Sequence, residues 1–181
     1  MNKSLLVSKH SQIIHMGFFV EDAMAFAQRH HNLYGSGPFV VNEHVNADVI
    51  FRGERSITEI TMATGWWKET AVEVLQQHSD NHSYLKENGR YGFHHIDFFV
   101  SDVKEAIKEF EAFGDNVQMY NFDRPEFPFA YIDARESCGY YIELNQSMDF
   151  MSGLAMKLAE GRYGASDKFW TIDDLKEIGI L

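Results

Sequence analysis

Two histidines and two glutamates occupy matched places in this chain. Residues 13 to 22 read IIHMGFFVED, and residues 93 to 102 read FHHIDFFVSD. At an offset of 80, His15 aligns with His95, Phe18 with Phe98, Phe19 with Phe99, Val20 with Val100 and Asp22 with Asp102. Further on, AVEVLQQ at 71 to 77 and YIELNQ at 141 to 146 align Glu73 with Glu143, now at an offset of 70. Each of the four sits among apolar residues, where a polar group needs a partner, because burying it unpaired costs several kcal/mol. Two imidazoles and two carboxylates make a mixed nitrogen and oxygen donor set. Such a set suits one divalent metal ion (Zn, Ni, Co, Mn or Fe) and leaves positions open for water or substrate. His15, Glu73, His95 and Glu143 are therefore the expected metal ligands.

The elements that must position them follow from the same duplication. Each copy opens with an apolar strand, 13 to 20 or 93 to 100. A helix cap follows, Asp22 or Ser101, then a helix, DAMAFAQRHHNLYG or DVKEAIKEFEAFG, closing near Gly35 or Gly114. Three strand-like segments come next. In the second copy they are VQMYNF, FPFAYID and GYYIELNQ; in the first they fall within 38 to 77, with turns at Gly53 and Gly65. The order is β-α-β-β-β, twice. The chain divides into a first module at 12–77, a linker at 78–90, a second module at 91–146 and a C-terminal helical extension at 147–181. In the extension Phe150, Leu154 and Leu158 recur at helical spacing, and Thr171 to Asp174 resembles a capping box.

Strand alternation assigns the faces. Met16, Phe18, Val72, Val74, Ile96, Phe98, Ile142 and Leu144 point toward the helices, and the four ligand candidates point to the other side. Pairing of the modules about a pseudo-twofold axis brings those other sides together in one concave, barrel-like mixed sheet, an α+β architecture. Phe19, Phe99 and Tyr141 share the ligand face and are expected cavity walls, with Trp66 beside them and Asp97 as an extra carboxylate in the cavity. Glu59 is the rival to Glu73 if the register slips by one hairpin. His94 is expected to face away from His95. His30, His31, His44, His78 and His82 lie in polar segments and read as solvated.

Bulk properties narrow the function classes. The chain has 181 residues, 45% of them hydrophobic, enough for a packed core and too many for a disordered chain. A formal net charge of -11 repels phosphate backbones and anionic lipid, so neither nucleic acid nor a membrane surface is an expected partner. Cys138 is the single cysteine, which excludes an internal disulfide and makes a reducing, cytoplasmic compartment the default. The opening MNKSLLVSKHSQ has no apolar run of signal-peptide length, and no segment approaches the roughly 20 apolar residues of a bilayer span.

With both modules laid out, the sequence resembles the vicinal oxygen chelate superfamily. The likeness is to its glyoxalase I and methylmalonyl-CoA epimerase-like branch, and it rests on the two H-hydrophobic-x-FFV openings and the two apolar-Glu-apolar closing strands across about residues 12 to 146. The resemblance implies that His15, Glu73, His95 and Glu143 hold the ion and that Glu143 and Glu73 move a proton. It further implies substrate contacts from Phe19, Asp97, Phe99, Tyr141 and Trp66, a small-molecule substrate and a homodimer. The function it implies is a metal-dependent lyase, isomerase or epimerase acting through a metal-stabilised enolate. The alternatives are an Fe(II) extradiol-type dioxygenase, which would not need Glu73, and a metal-free binding protein of the bleomycin-resistance kind.

Overall fold

The structure, a computed structural model, describes residues 12–123 and 128–181. All but the last residue of the opening segment, expected to lack a signal peptide, lie outside the described residues, as does Phe127 near the head of the FPFAYID strand. The chain runs β1 (Ile13–Phe19), α1 (Ala23–Tyr34), β2 (Phe39–Phe51), β3 (Glu54–Trp67) and β4 (Thr70–Gln77), then a single 3-10 turn at Lys86–Asn88. The order repeats as β5 (Gly92–Phe99), α2 (Val103–Glu111), β6 (Asn116–Asn121), β7 (Phe129–Ala134) and β8 (Tyr140–Asn145). A tail of α3 (Phe150–Glu160), β9 (Phe169–Thr171) and α4 (Ile172–Glu177) follows. No described helix is long and apolar enough to cross a membrane.

The two copies pair alike. β1 lies parallel to β4, and β5 parallel to β8; within each copy the remaining neighbours are antiparallel. Antiparallel pairing of β1 with β5 joins the copies about a pseudo-twofold axis. The sheet order β3-β4-β1-β5-β8-β7-β6-β2 then returns to β3 through the long β2–β3 hairpin. The closing seam between β2 and β6 is short, with Ile50 opposite Tyr120 and Phe51 opposite Met119. The expected α+β, concave mixed sheet with a helical extension is the fold of the chain.

Alternation decides what each face buries. Val72 and Val74 pack with Ala23 and Ala27 of α1, while Ile142 and Leu144 pack with Val103, Ala106 and Ile107 of α2. Their neighbours Glu73, Leu75, Tyr141 and Glu143 turn into the barrel. Asp22 caps α1 and accepts a hydrogen bond from the Ala25 N–H at 2.9 Å. The second helix is capped by Asp102, not Ser101, because it is the Asp102 carboxylate that accepts from the Glu105 N–H, at 3.1 Å. Gly65 is not a turn either. It lies inside β3, where a side-chain carbon would come within 2.6 Å of the Phe39 ring. The β3–β4 turn instead falls at Lys68, which takes a left-handed φ of 57°.

The tail packs on its own chain. Leu154, Leu158 and Met151 of α3, with Trp170 and Leu175, enclose Val40 of β2, and Met62 and Trp66 of β3 pack against them.

Candidate metal centre

The four strands at the centre of the sheet each deliver one side chain to the same point. His15 comes from β1, Glu73 from β4, His95 from β5 and Glu143 from β8. All four are buried, and one ligand atom from each lies within 4.8 Å of the others. His15 Nε2 is 2.9 Å from His95 Nε2 and 3.2 Å from the Glu143 carboxylate. Glu73 Oε2 is 3.6 Å from His15 Nε2 and 3.4 Å from His95 Nε2, and His95 Nε2 is 3.1 Å from Glu143. Donors bound at about 2.0–2.2 Å to one ion, at tetrahedral or octahedral angles, are separated from one another by about 2.8–3.6 Å. The five measured separations fall in that window. Chain atoms alone thus form a donor cage of metal size and chemistry, closed within one chain. Glu59 is no part of it; it pairs with His44 at the surface.

Room for this convergence comes from one glycine. In the β1–β5 ladder His15 faces Asp97, and Gly17 faces His95. The His95 ring lies directly over Gly17, so a side-chain carbon there would fall 1.9 Å from its Cε1. At the symmetry-related position, Asp97 reaches under His15. Its Oδ2 is 3.4 Å from His15 Nδ1 and accepts from Asn145 Nδ2 at 3.0 Å. Asn145 also donates to Glu143 Oε1 at 3.0 Å. Asp149, which caps α3 through Oδ1, places its other oxygen 3.2 Å from His15 Nδ1.

Charge settles accordingly. Burial pulls the His15 pKa down, but Glu73, Asp97, Asp149 and Glu143 outweigh it and hold it well above the ordinary histidine value. His95 is raised as well: burial opposes, and Glu143 and Glu73 win. Burial acts to raise Glu143, yet the two imidazoles hold it well below the usual carboxylate range. Asp97 is raised by burial and by Glu143. His94 is pushed down to about 3 by burial and by the adjacent His95, so its ring is neutral.

Comparison with solved structures meets the same architecture. Hypothetical protein BH1468 from Bacillus halodurans C-125 superposes with a TM-score of 0.56 at 15% identity, over 78% of this chain and 97% of that one. Methylmalonyl-CoA epimerase from Mycobacterium tuberculosis gives 0.53 at 14% identity, over 80% of this chain and 91% of that one. This is the vicinal oxygen chelate fold. No family model matches the sequence, and no curated protein matches it.

The concave side holds a cavity of about 430 Å³, with His15, Glu73 and Glu143 in its wall. The five expected substrate contacts are not in that wall. Phe19 packs into the barrel core beside Tyr91, and Phe99 ends β5 opposite Asn145. Tyr141 is fully buried between His94 and the Arg135 guanidinium, Trp66 is covered by the tail, and Asp97 lies behind His15. The wall is instead built from β2 and β3 residues such as Val45, Val49, Ile60 and Met62, with Tyr131, Phe150 and Met151. Sequence reasoning missed Tyr131, whose hydroxyl is 3.3 Å from His95 Nε2 and whose ladder partner is Glu143; its alternation with the helix-facing Ala130 and Ile132 along β7 marked its face. It also missed Asp149, readable only as a cap. His30 is buried, against expectation, and bonded to Ser36 at 2.8 Å. His94 does not face away either; it is fully buried beside His95 and Tyr141.

Proposed function

We propose a metal-dependent isomerase, epimerase or lyase that shifts a proton on the carbon beside a carbonyl of a small molecule. The observation that carries this reading is the spacing of the four buried donors, with a second carboxylate left over for proton work. When bound, a divalent ion supplies Lewis acidity, stabilising negative charge on substrate oxygens. The rest falls to the chain. Glu143 is tied on one oxygen to Asn145 and on the other to both imidazoles. Glu73 is held less tightly: it makes only the two longer contacts to imidazole nitrogens, and its second oxygen takes no hydrogen bond from a described residue. Glu73 is therefore the better proton acceptor, and Glu143 the better anchor. The Tyr131 hydroxyl, kept protonated by burial and by Glu143, can donate to a developing oxyanion. Val45, Val49, Ile60, Met62 and Leu75 give the cavity an apolar side against which a small organic substrate can pack. No lysine or arginine lies among the described residues of the wall, which favours an uncharged substrate over a phosphate-rich carrier.

Elemental analysis of the purified protein comes first, followed by deuterium wash-in from heavy water with a panel of uncharged 2-hydroxyketones, 2-oxoaldehyde adducts and thioesters. The expected result is one divalent ion per chain and metal-dependent exchange. In Glu73→Gln that exchange falls by about 10²–10⁴-fold, the usual contribution of a positioned base. A protein with no affinity for divalent ions overturns the proposal. Oxygen consumption with catechols that survives Glu73→Gln would move the reading to the dioxygenase.

A further inference from the structure

His94 and His95 are consecutive in β5, yet both point into the barrel. The cause is a break in the β1–β5 ladder: Gly17 pairs with His95 but Phe18 pairs with Phe93, which leaves His94 as an unpaired extra residue. Such a bulge spoils strict alternation and re-aims a side chain. His94 is fully buried among Tyr84, Tyr131 and Tyr141. Its Nε2 stands 3.2 Å from the Tyr84 carbonyl oxygen, and its Nδ1 stands 2.9 Å from His95 Nδ1.

These contacts admit one arrangement of hydrogens. A carbonyl oxygen only accepts, so His94 Nε2 carries a hydrogen and donates it. A buried imidazole with no carboxylate against it holds one hydrogen, so His94 Nδ1 is a bare lone pair. His95 Nδ1–H must then be the donor of the 2.9 Å bond. That leaves Nε2 as the His95 nitrogen aimed at His15, Glu73 and Glu143.

We propose that His94 is a positioning residue: it fixes the ring orientation of His95 and the nitrogen that His95 offers to the centre, through a Tyr84–His94–His95 hydrogen-bond chain. Under the function proposed above, that nitrogen is a metal ligand; the chain of hydrogen bonds stands without it. The two halves support their histidines differently. The residue matching His94 is Ile14, which cannot accept a hydrogen bond, and His15 leans on Asp97 and Asp149 instead.

The test uses the full-length, metal-free protein labelled with 15N at histidine. Long-range imidazole spectra should show His94 as the neutral Nε2–H form, with a scalar coupling across the hydrogen bond between its Nδ1 and His95 Nδ1. Chelator competition with zinc then reads the effect on the centre. His94→Leu should weaken zinc by about 10–100-fold, the range for lost ligand-orienting partners. His94→Asn, whose Oδ1 stands where Nδ1 stood, should retain most of the affinity. A hydrogen on His94 Nδ1, or zinc held as tightly by His94→Leu as by the parent, overturns the proposal. Should His94→Leu fail to fold, the parent spectrum and His94→Asn decide it. Coupling in the spectrum without zinc affinity would uphold the hydrogen-bond chain and sink the metal reading separately.

Discussion

The His95 imidazole fills the volume that any side chain at position 17 would need, with its Cε1 only 1.9 Å from where a first carbon would stand. Gly17 therefore governs the site without itself supplying a ligand atom. Gly17→Ala should displace the ring and weaken zinc binding by at least about tenfold, with the far-ultraviolet circular dichroism unchanged. Zinc titration of the variant against a chelator checks this. The ligands themselves were legible in the sequence, since His15, His95, Glu73 and Glu143 are flagged twice over by the repeat. Their supports were not. Asp149 comes from the tail, which has no duplicate, the residue opposite Glu73 that matches Tyr131 is Thr64, so the repeat does not flag it, and His94 obeys a bulge rather than the alternation its neighbours follow.

At the scale of elements, α3 is a wall of the site as well as a cover for the sheet. Its cap, Asp149, bonds His15, while Phe150 and Met151 face the cavity and Leu154 and Leu158 grip β2 and β3. The sequence disclosed this helix through its spacing, yet nothing in its composition says against which strand it lies. Leu158 is fully buried, so Leu158→Ala should cost about 2–5 kcal/mol of stability. Loosening the helix should also lower zinc affinity through Asp149. Denaturant unfolding and chelator competition measure the two effects. A loss of stability with zinc affinity untouched would show that the tail only packs. The central framework of β4, β1, β5 and β8 was readable because its strands repeat; the seam at Ile50 and Phe51 was not, because it depends on how far the β2–β3 hairpin curls.

For the whole molecule, the buried cluster makes stability depend on pH. His15 and His95 are raised above their ordinary 6.5, so they contribute stability below that pH and lose it as pH rises through their folded values. Glu143 is lowered from 4.5, so its contribution is present above that pH and fades in more acid solution. The metal-free protein should thus melt highest between these limits. A saturating divalent ion should move the optimum to higher pH, because protons then no longer compete for the imidazoles. Thermal melts across pH, with and without zinc, read this directly; identical profiles would count against a shared site.

The unlike residues at 17 and 97 carry an evolutionary corollary. Two first halves brought together would set glycine beside each imidazole and leave both rings without a carboxylate beneath them. Two second halves would set an aspartate into the volume each His95 ring must occupy. Whatever self-pairing ancestor the duplication began from, its descendants have become a lock and a key of one another, and neither can any longer stand in for its sibling.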